Sequence, residues 1–292
     1  MSKHYEKITD QIIKMLEGGT IPWRKPWNAA GSVPTSLSSG KPYRGMNQMI
    51  LGMTALIENY SSPFWGTYRQ IEAHGGQIRK GERSTSVILW KPIEKINEEG
   101  EKVKRFFMTT FAIFNAEQAE WPNGIPAGPE MIDHDPIAEA EAIASAYFAN
   151  GPAFSAGGDR AFYSPSLDAI RIPEMGTFGN VAEYYSTLFH EMTHSTGHAL
   201  RLNRDGVTEG HYFGTPDYSK EELVAEMGAA FLCATVGINP NENLSNSAAY
   251  IASWLKALNN DPKMIVEAAS KAQKAADLIV GASVANEESE AA

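Results

Sequence analysis

Cysteine is almost absent from this chain. Cys233 is the only one, so no internal disulfide can form and no cysteine-rich zinc module is encoded. Long apolar runs are missing as well: no stretch approaches the ~20 residues needed to span a bilayer. The opening "MSKHYEKITDQIIKML" carries charge where a secretion signal would be apolar. Together these absences predict a cytoplasmic protein with no membrane partner. Histidine is scarce too, with seven in 292 residues. The rest is ordinary for a globular protein, 43% hydrophobic and 21% charged, and the length favours two domains.

The net charge of −10 is unevenly spread. Residues 1–110 hold 16 Lys and Arg against 10 Asp and Glu, whereas the remainder holds 9 against 25. A basic half within an acidic protein points to a nucleic-acid or membrane surface in that half.

Periodicity predicts an α+β chain of two domains. Tyr5, Ile8, Ile12, Met15 and Leu16 share one helical face, which stops at Gly18-Gly19. A Pro-, Ser- and Gly-rich stretch follows, then helices over "GMNQMILGMTALIENY" and "TYRQIEAHGG". "STSVILWKPIEK" and "KVKRFFMTTFAIFN" read as a hairpin around "INEEGE". The first domain is thus expected over 1–115 and a Pro/Gly-rich linker over 116–135. A second domain is expected over 136–281, and an acidic, disordered tail over 282–292. Within the second domain, "GGDRAFYSPSLDAIRIP" offers two short strands before a series of helices.

Three of the seven histidines, with Glu191 among them, fall in one short string, "STLFHEMTHSTGH". On a helix, His190 and His194 lie one turn apart on the same face and can grip one divalent ion. Glu191 then stands beside the open coordination position as a general base. Asn180 and Glu183 form an N-x-x-E start for that helix, and Gly197 marks its end. A catalytic zinc site needs a third protein ligand. His198 follows His194 by four residues, and a straight helix cannot easily wrap three successive turns around one ion. It is better read as supporting a ligand or facing substrate. The stronger candidates are Glu222 and Glu226, four apart on a helix face that also carries Ala229, Ala230 and Cys233. Small residues let that helix come close to the histidines. Glu222 is favoured as ligand, with Glu226 orienting a histidine; the reverse assignment stays open. His211 and Tyr212 are candidate donors to an oxyanion.

The N-terminal half holds Trp23, Trp27, Trp65 and Trp90, several with basic neighbours. Aromatic faces that stack bases, interleaved with cations that track phosphates, suit single-stranded nucleic acid. Arg24, Lys25, Trp27, Arg44, Arg79, Lys80, Arg83 and Trp90 are the candidate DNA contacts on this chemistry.

The strings "IPWRKPW", "KPYRGMNQMIL", "GGQIRKGERSTSVILWKP", "HEMTHSTGH" and "EELVAEMGAAF", in that order, resemble the ArdC-type antirestriction proteins of conjugative plasmids. The resemblance covers the chain apart from its tail. It implies an N-terminal single-stranded-DNA-binding domain and a C-terminal zincin-like metallopeptidase domain. It also implies a role in protecting incoming plasmid DNA from restriction during conjugation. His190, His194 and Glu222 match the metal positions and Glu191 the general base, with Zn2+ as the expected ion or Mn2+ in its place. A protein that acts on incoming DNA is the expected substrate. The competing expectation is a non-catalytic DNA-binding protein whose metal is structural.

Overall fold

Ile8, Ile12 and Leu16 recur at helical spacing, and the first helix, α1 (Lys3–Glu17), buries all three. The computed structural model describes residues 3–18, 21–23, 33–96, 102–125, 136–208, 216–239 and 247–282. Two units emerge: Met1–Pro26 with Asp133–Val284, and Trp27–Ile132 with Ala285–Ala292. α1 therefore makes its contacts with the C-terminal part of the chain. The Thr9 hydroxyl donates to the Pro262 carbonyl at 2.6 Å, and Trp23 meets Trp254 edge-on at 5.1 Å. Both tryptophans are buried.

The unit of Trp27–Ile132 holds β1 (Thr35–Ser36), α2 (Gly45–Glu58), β2 (Phe64–Gly66), α3 (Tyr68–Ala73) and β3 (Gln77–Ile78), followed by β4 (Thr85–Ile96), β5 (Lys102–Asn115) and β6 (Ala119–Glu120). The expected hairpin is present: β4 and β5 pair antiparallel from Thr85 opposite Ile113 to Ile96 opposite Lys102. They extend a sheet of order β1-β2-β5-β4. Leu51 from α2, Trp65, Val87 and Ile113 form its core. α2 is the apolar run read from sequence, and it ends where Asn59 turns left-handed and its N–H bonds the Ala55 carbonyl. α3 opens on a reciprocal cap between Thr67 and Gln70.

Residues 116–120 were expected to be linker, but they are ordered. Asn115 and Gln118 cap a single helical turn, and β6 then pairs with β3. Buried Gln118 also donates to Glu82 and to the Arg83 carbonyl. A four-residue cap gives no periodicity, so Pro and Gly nearby dominated the sequence signal. The remainder of that expected linker, 126–135, lies outside the described residues, as does the expected tail from 283 on.

The other unit continues with α4 (Pro136–Phe148), β7 (Ala153–Ala156), β8 (Phe162–Ser164), β9 (Ala169–Ile172), α5 (Val181–Ser195), α6 (Asp205–Thr208), α7 (Pro216–Thr235), α8 (Ser247–Asn260) and α9 (Met264–Val280). β8 and β9 are the two strands anticipated around "SPSLD". β7 adds a third, parallel to β9, so β9 is central and β8 an outer edge. α5 packs against β8 and β9 on one side and α7 on the other, while α7 also lies along α9. α7 is buried nearly all round from Glu221 on, with Leu223, Val224, Ala225, Met227, Phe231 and Leu232 enclosed beside Glu221 and Glu222. That is the pattern of a helix enclosed by others. Among the described residues, no helix is long and apolar enough to cross a membrane.

Candidate metal centre

The helix that carries HExxH starts where its cap residues place it. The Asn180 side chain accepts the Glu183 N–H at 2.9 Å, and the Glu183 carboxylate reaches one residue further back, to the Gly179 N–H. Leu188, Phe189 and Met192 sink into the core and fix the rotation of α5. His190 and His194 are thereby presented together on the face towards α7, their ring centroids 4.7 Å apart.

Glu222 on α7 completes the group. Its carboxylate lies 3.6 Å from His190 Nε2 and 3.4 Å from His194 Nε2, and the two Nε2 atoms are 3.1 Å apart. Ligand atoms around a tetrahedral ion, bonded at about 2.0–2.1 Å, stand about 3.4 Å from one another. The three separations fit that spacing, and two imidazole nitrogens with a carboxylate are donors suited to zinc or manganese. His190, His194 and Glu222 thus have the geometry to hold a divalent cation.

The electrostatics agree. Burial works to lower the His194 pKa, but hydrogen bonds to Glu221 and Glu222 outweigh it and carry the group up to about 10. His190 shows the same contest and is also raised, chiefly through Glu222. Burial opposes ionisation of Glu222, yet its bonds to both histidines hold it well below the usual carboxylate range. Two protons or one ion satisfy such a constellation. Glu191 is buried, and its charge is felt by both imidazoles.

Glu226 is not in the three-residue cluster, and His198 is not either. His198 lies in the turn after α5, where its Nδ1 accepts the Leu200 N–H. The carboxylate that reaches His194 Nδ1, at 3.4 Å, is Glu221 rather than Glu226. Glu226 is half-buried one turn on and acts on His190 through its charge. Glu221 escaped the sequence reading because it neighbours Glu222, whereas the reading sought a partner one turn away. The expected close packing is real, but it centres on Gly228. A Cβ there would stand 2.5 Å from Thr193 Cγ2.

Among the candidate DNA contacts, Arg79, Lys80 and Arg83 are exposed together on the segment between β3 and β4. Arg79 is paired with Glu82 at 2.7 Å. Arg44 is half-buried at the start of α2. Arg24, Lys25, Trp27, the Trp90 side chain, His211 and Tyr212 lie outside the described residues. Trp23 and Trp65 are core residues, each 1% exposed, and have no face to offer a base.

Residues 138–271 match a family model described as zincin-like metallopeptidase, and residues 2–114 one described as the N-terminal domain of anti-restriction factor ArdC. An uncharacterized protein of Sinorhizobium fredii, y4eC, is 37% identical over 286 residues, covering 94% of this chain and 90% of that protein. DNA primase TraC of Escherichia coli is 35% identical over 300 residues, but this chain spans only 27% of its length. Among solved structures, metal-free antirestriction protein ArdC from plasmid R388 is 39% identical with a TM-score of 0.75, covering 94% of this chain and 96% of that one. Its Mn(II)-bound form is 38% identical with a TM-score of 0.76, over 97% and 99%. Two matched domains in this order, and near-complete coverage at this identity, identify the chain as a member of the ArdC antirestriction family.

Proposed function

We propose that this protein binds single-stranded DNA and protects incoming plasmid DNA during conjugation, using a metal-dependent peptidase centre in its C-terminal unit. The observation that carries the enzymatic part is the convergence of His190, His194 and Glu222 with Glu191 buried beside them. A purely structural ion needs no carboxylate next to its first histidine. Zn2+ or Mn2+, when bound by those three side chains, supplies Lewis acidity and makes water a nucleophile near neutral pH. The Glu191 carboxylate takes the proton of the attacking water and returns it to the departing amide nitrogen. The outer edge of β8 offers backbone donors and acceptors to an extended peptide. That chemistry suits a protein substrate, one that attacks the entering strand.

The DNA part rests on the exposed cations Arg79, Lys80 and Arg83, with Arg24, Lys25, Trp27, Arg44 and Trp90 as further contacts. Such binding weakens as salt rises, because phosphate contacts release counterions. Affinity for an oligonucleotide that does not change with salt would remove this part of the proposal.

Plasmid transfer into a restricting recipient tests the whole, comparing wild type with Glu191→Gln. The substitution removes the base and leaves the cations in place. Transfer reduced to the level seen without the protein is expected. Full protection by the variant would assign the function to DNA binding alone.

A further inference from the structure

Arg204 is a buried cation, 7% exposed, in the turn between α5 and α6. Its Nε donates to Glu221 Oε2 at 3.0 Å and one terminal nitrogen to Glu221 Oε1 at 2.5 Å, a bidentate pair. The same nitrogen donates to the Thr193 carbonyl at 2.8 Å, and the other terminal nitrogen to the Thr196 hydroxyl at 2.6 Å. One guanidinium therefore joins the C-terminal end of α5, where carbonyls lack helical partners, to the first turns of α7. Those two helices supply the two halves of the metal cluster. The turn is tightly packed around the group: a Cβ on Gly197 would meet the Val207 side chain first and stand 3.0 Å from an Arg204 terminal nitrogen, and one on Gly206 would stand 3.0 Å from Glu221 Cβ.

We infer that Arg204 is a positioning residue of the metal centre, acting through Glu221 on His194. Glu221, held by both oxygens, presents one of them to His194 Nδ1. The ring is thereby turned so that Nε2 faces His190 and Glu222. A carboxylate behind a ligand histidine fixes its tautomer and orientation, and losing such a partner weakens metal binding about 10- to 100-fold. Lysine could not replace this residue, since a single ammonium cannot serve both Glu221 oxygens and the α5 acceptors in one plane. The inference rests on the metal-site reading of His190, His194 and Glu222.

The test is calorimetric titration of the full-length protein with Mn2+ and, separately, Zn2+, for wild type, Arg204→Met, Glu221→Gln and the double variant. Arg204→Met and Glu221→Gln are each expected to bind about 10- to 100-fold more weakly than wild type. The double variant is expected to bind no more weakly than Glu221→Gln, because Arg204 acts through that carboxylate. A residue that merely stabilised the fold would instead lower affinity further in the Glu221→Gln background. Arg204→Met leaves the Glu221 charge buried without its cation and can fail to fold. The comparison of Glu221→Gln with the double variant, which buries no charge at this position, then decides alone. Wild-type affinity in Arg204→Met, or a further tenfold loss in the double variant, overturns the inference. Wild-type protein that binds neither ion overturns the metal-site reading itself, and is thus distinguishable.

Discussion

His194 is gripped on both ring nitrogens, by Glu221 on one side and by Glu222 and His190 on the other. Its pKa rises from 6.5 to about 10 in the folded protein, so at neutral pH the metal-free site holds a proton there. The stabilisation this gives is complete below the unfolded value of 6.5 and is lost as pH rises through about 10. Glu222 works in the opposite sense. Its lowered pKa stabilises the fold above the ordinary 4.5 and stops doing so as pH falls. An ion entering this site must displace what the histidines hold. Binding of Mn2+ at pH 7 should therefore release about one to two protons per ion. Calorimetry in buffers of different ionisation enthalpy measures this directly; an observed enthalpy independent of buffer would contradict it. At this scale, HExxH told where the histidines stand and why Glu191 adjoins them. It gave no hint of Arg204, which sits in an irregular turn and finds its partners only through folding.

The pairing of α5 with α7 depends on one close approach. Gly228 faces Thr193, and an added Cβ would lie 2.5 Å from Thr193 Cγ2 and 2.6 Å from its hydroxyl oxygen. Thr193 is wholly buried, and its hydroxyl is committed to the Phe189 carbonyl, so it cannot swing aside without losing a bond. Gly228→Ala must push the helices apart, at a cost of about 1–3 kcal/mol typical of overpacking. It also moves Glu222 away from the histidines. Melting temperature should fall, and the rise in melting temperature on adding Mn2+ should shrink; a variant that melts and responds like wild type would show the contact to be slack. Elements with strong periodicity were legible: α2, the β4–β5 hairpin and α5 lie where the pattern predicts. β7 was not, since "AFSA" carries no alternation of apolar and polar residues and all four are exposed. Ala229, Ala230 and Cys233 are buried on α7, but the close approach falls on Gly228, off the face they share with Glu222 and Glu226, and no hydrophobic pattern marks it.

For the molecule as a whole, sequence read the two-part organisation in outline and left open where α1 packs. α1 carries ordinary amphipathic spacing, and such spacing says that a face is buried without saying against what. Its partner lies some 250 residues along the chain, in α8 and at Pro262 just beyond it. Trp23 and Trp65 illustrate the same gap: a tryptophan beside basic residues looks identical in sequence whether it stacks a base or fills a core. The charge asymmetry survives that loss, because Arg79, Lys80 and Arg83 remain at the surface. The claim that carries the account is that α5 and α7 together hold one divalent ion. Mn2+ titration of the wild type beside His190→Ala, Glu222→Ala and His198→Ala tests it most directly. One ion per chain is expected for wild type and His198→Ala, with binding abolished or severely weakened in the other two. Undiminished binding by His190→Ala and Glu222→Ala would place the ion elsewhere and contradict the account.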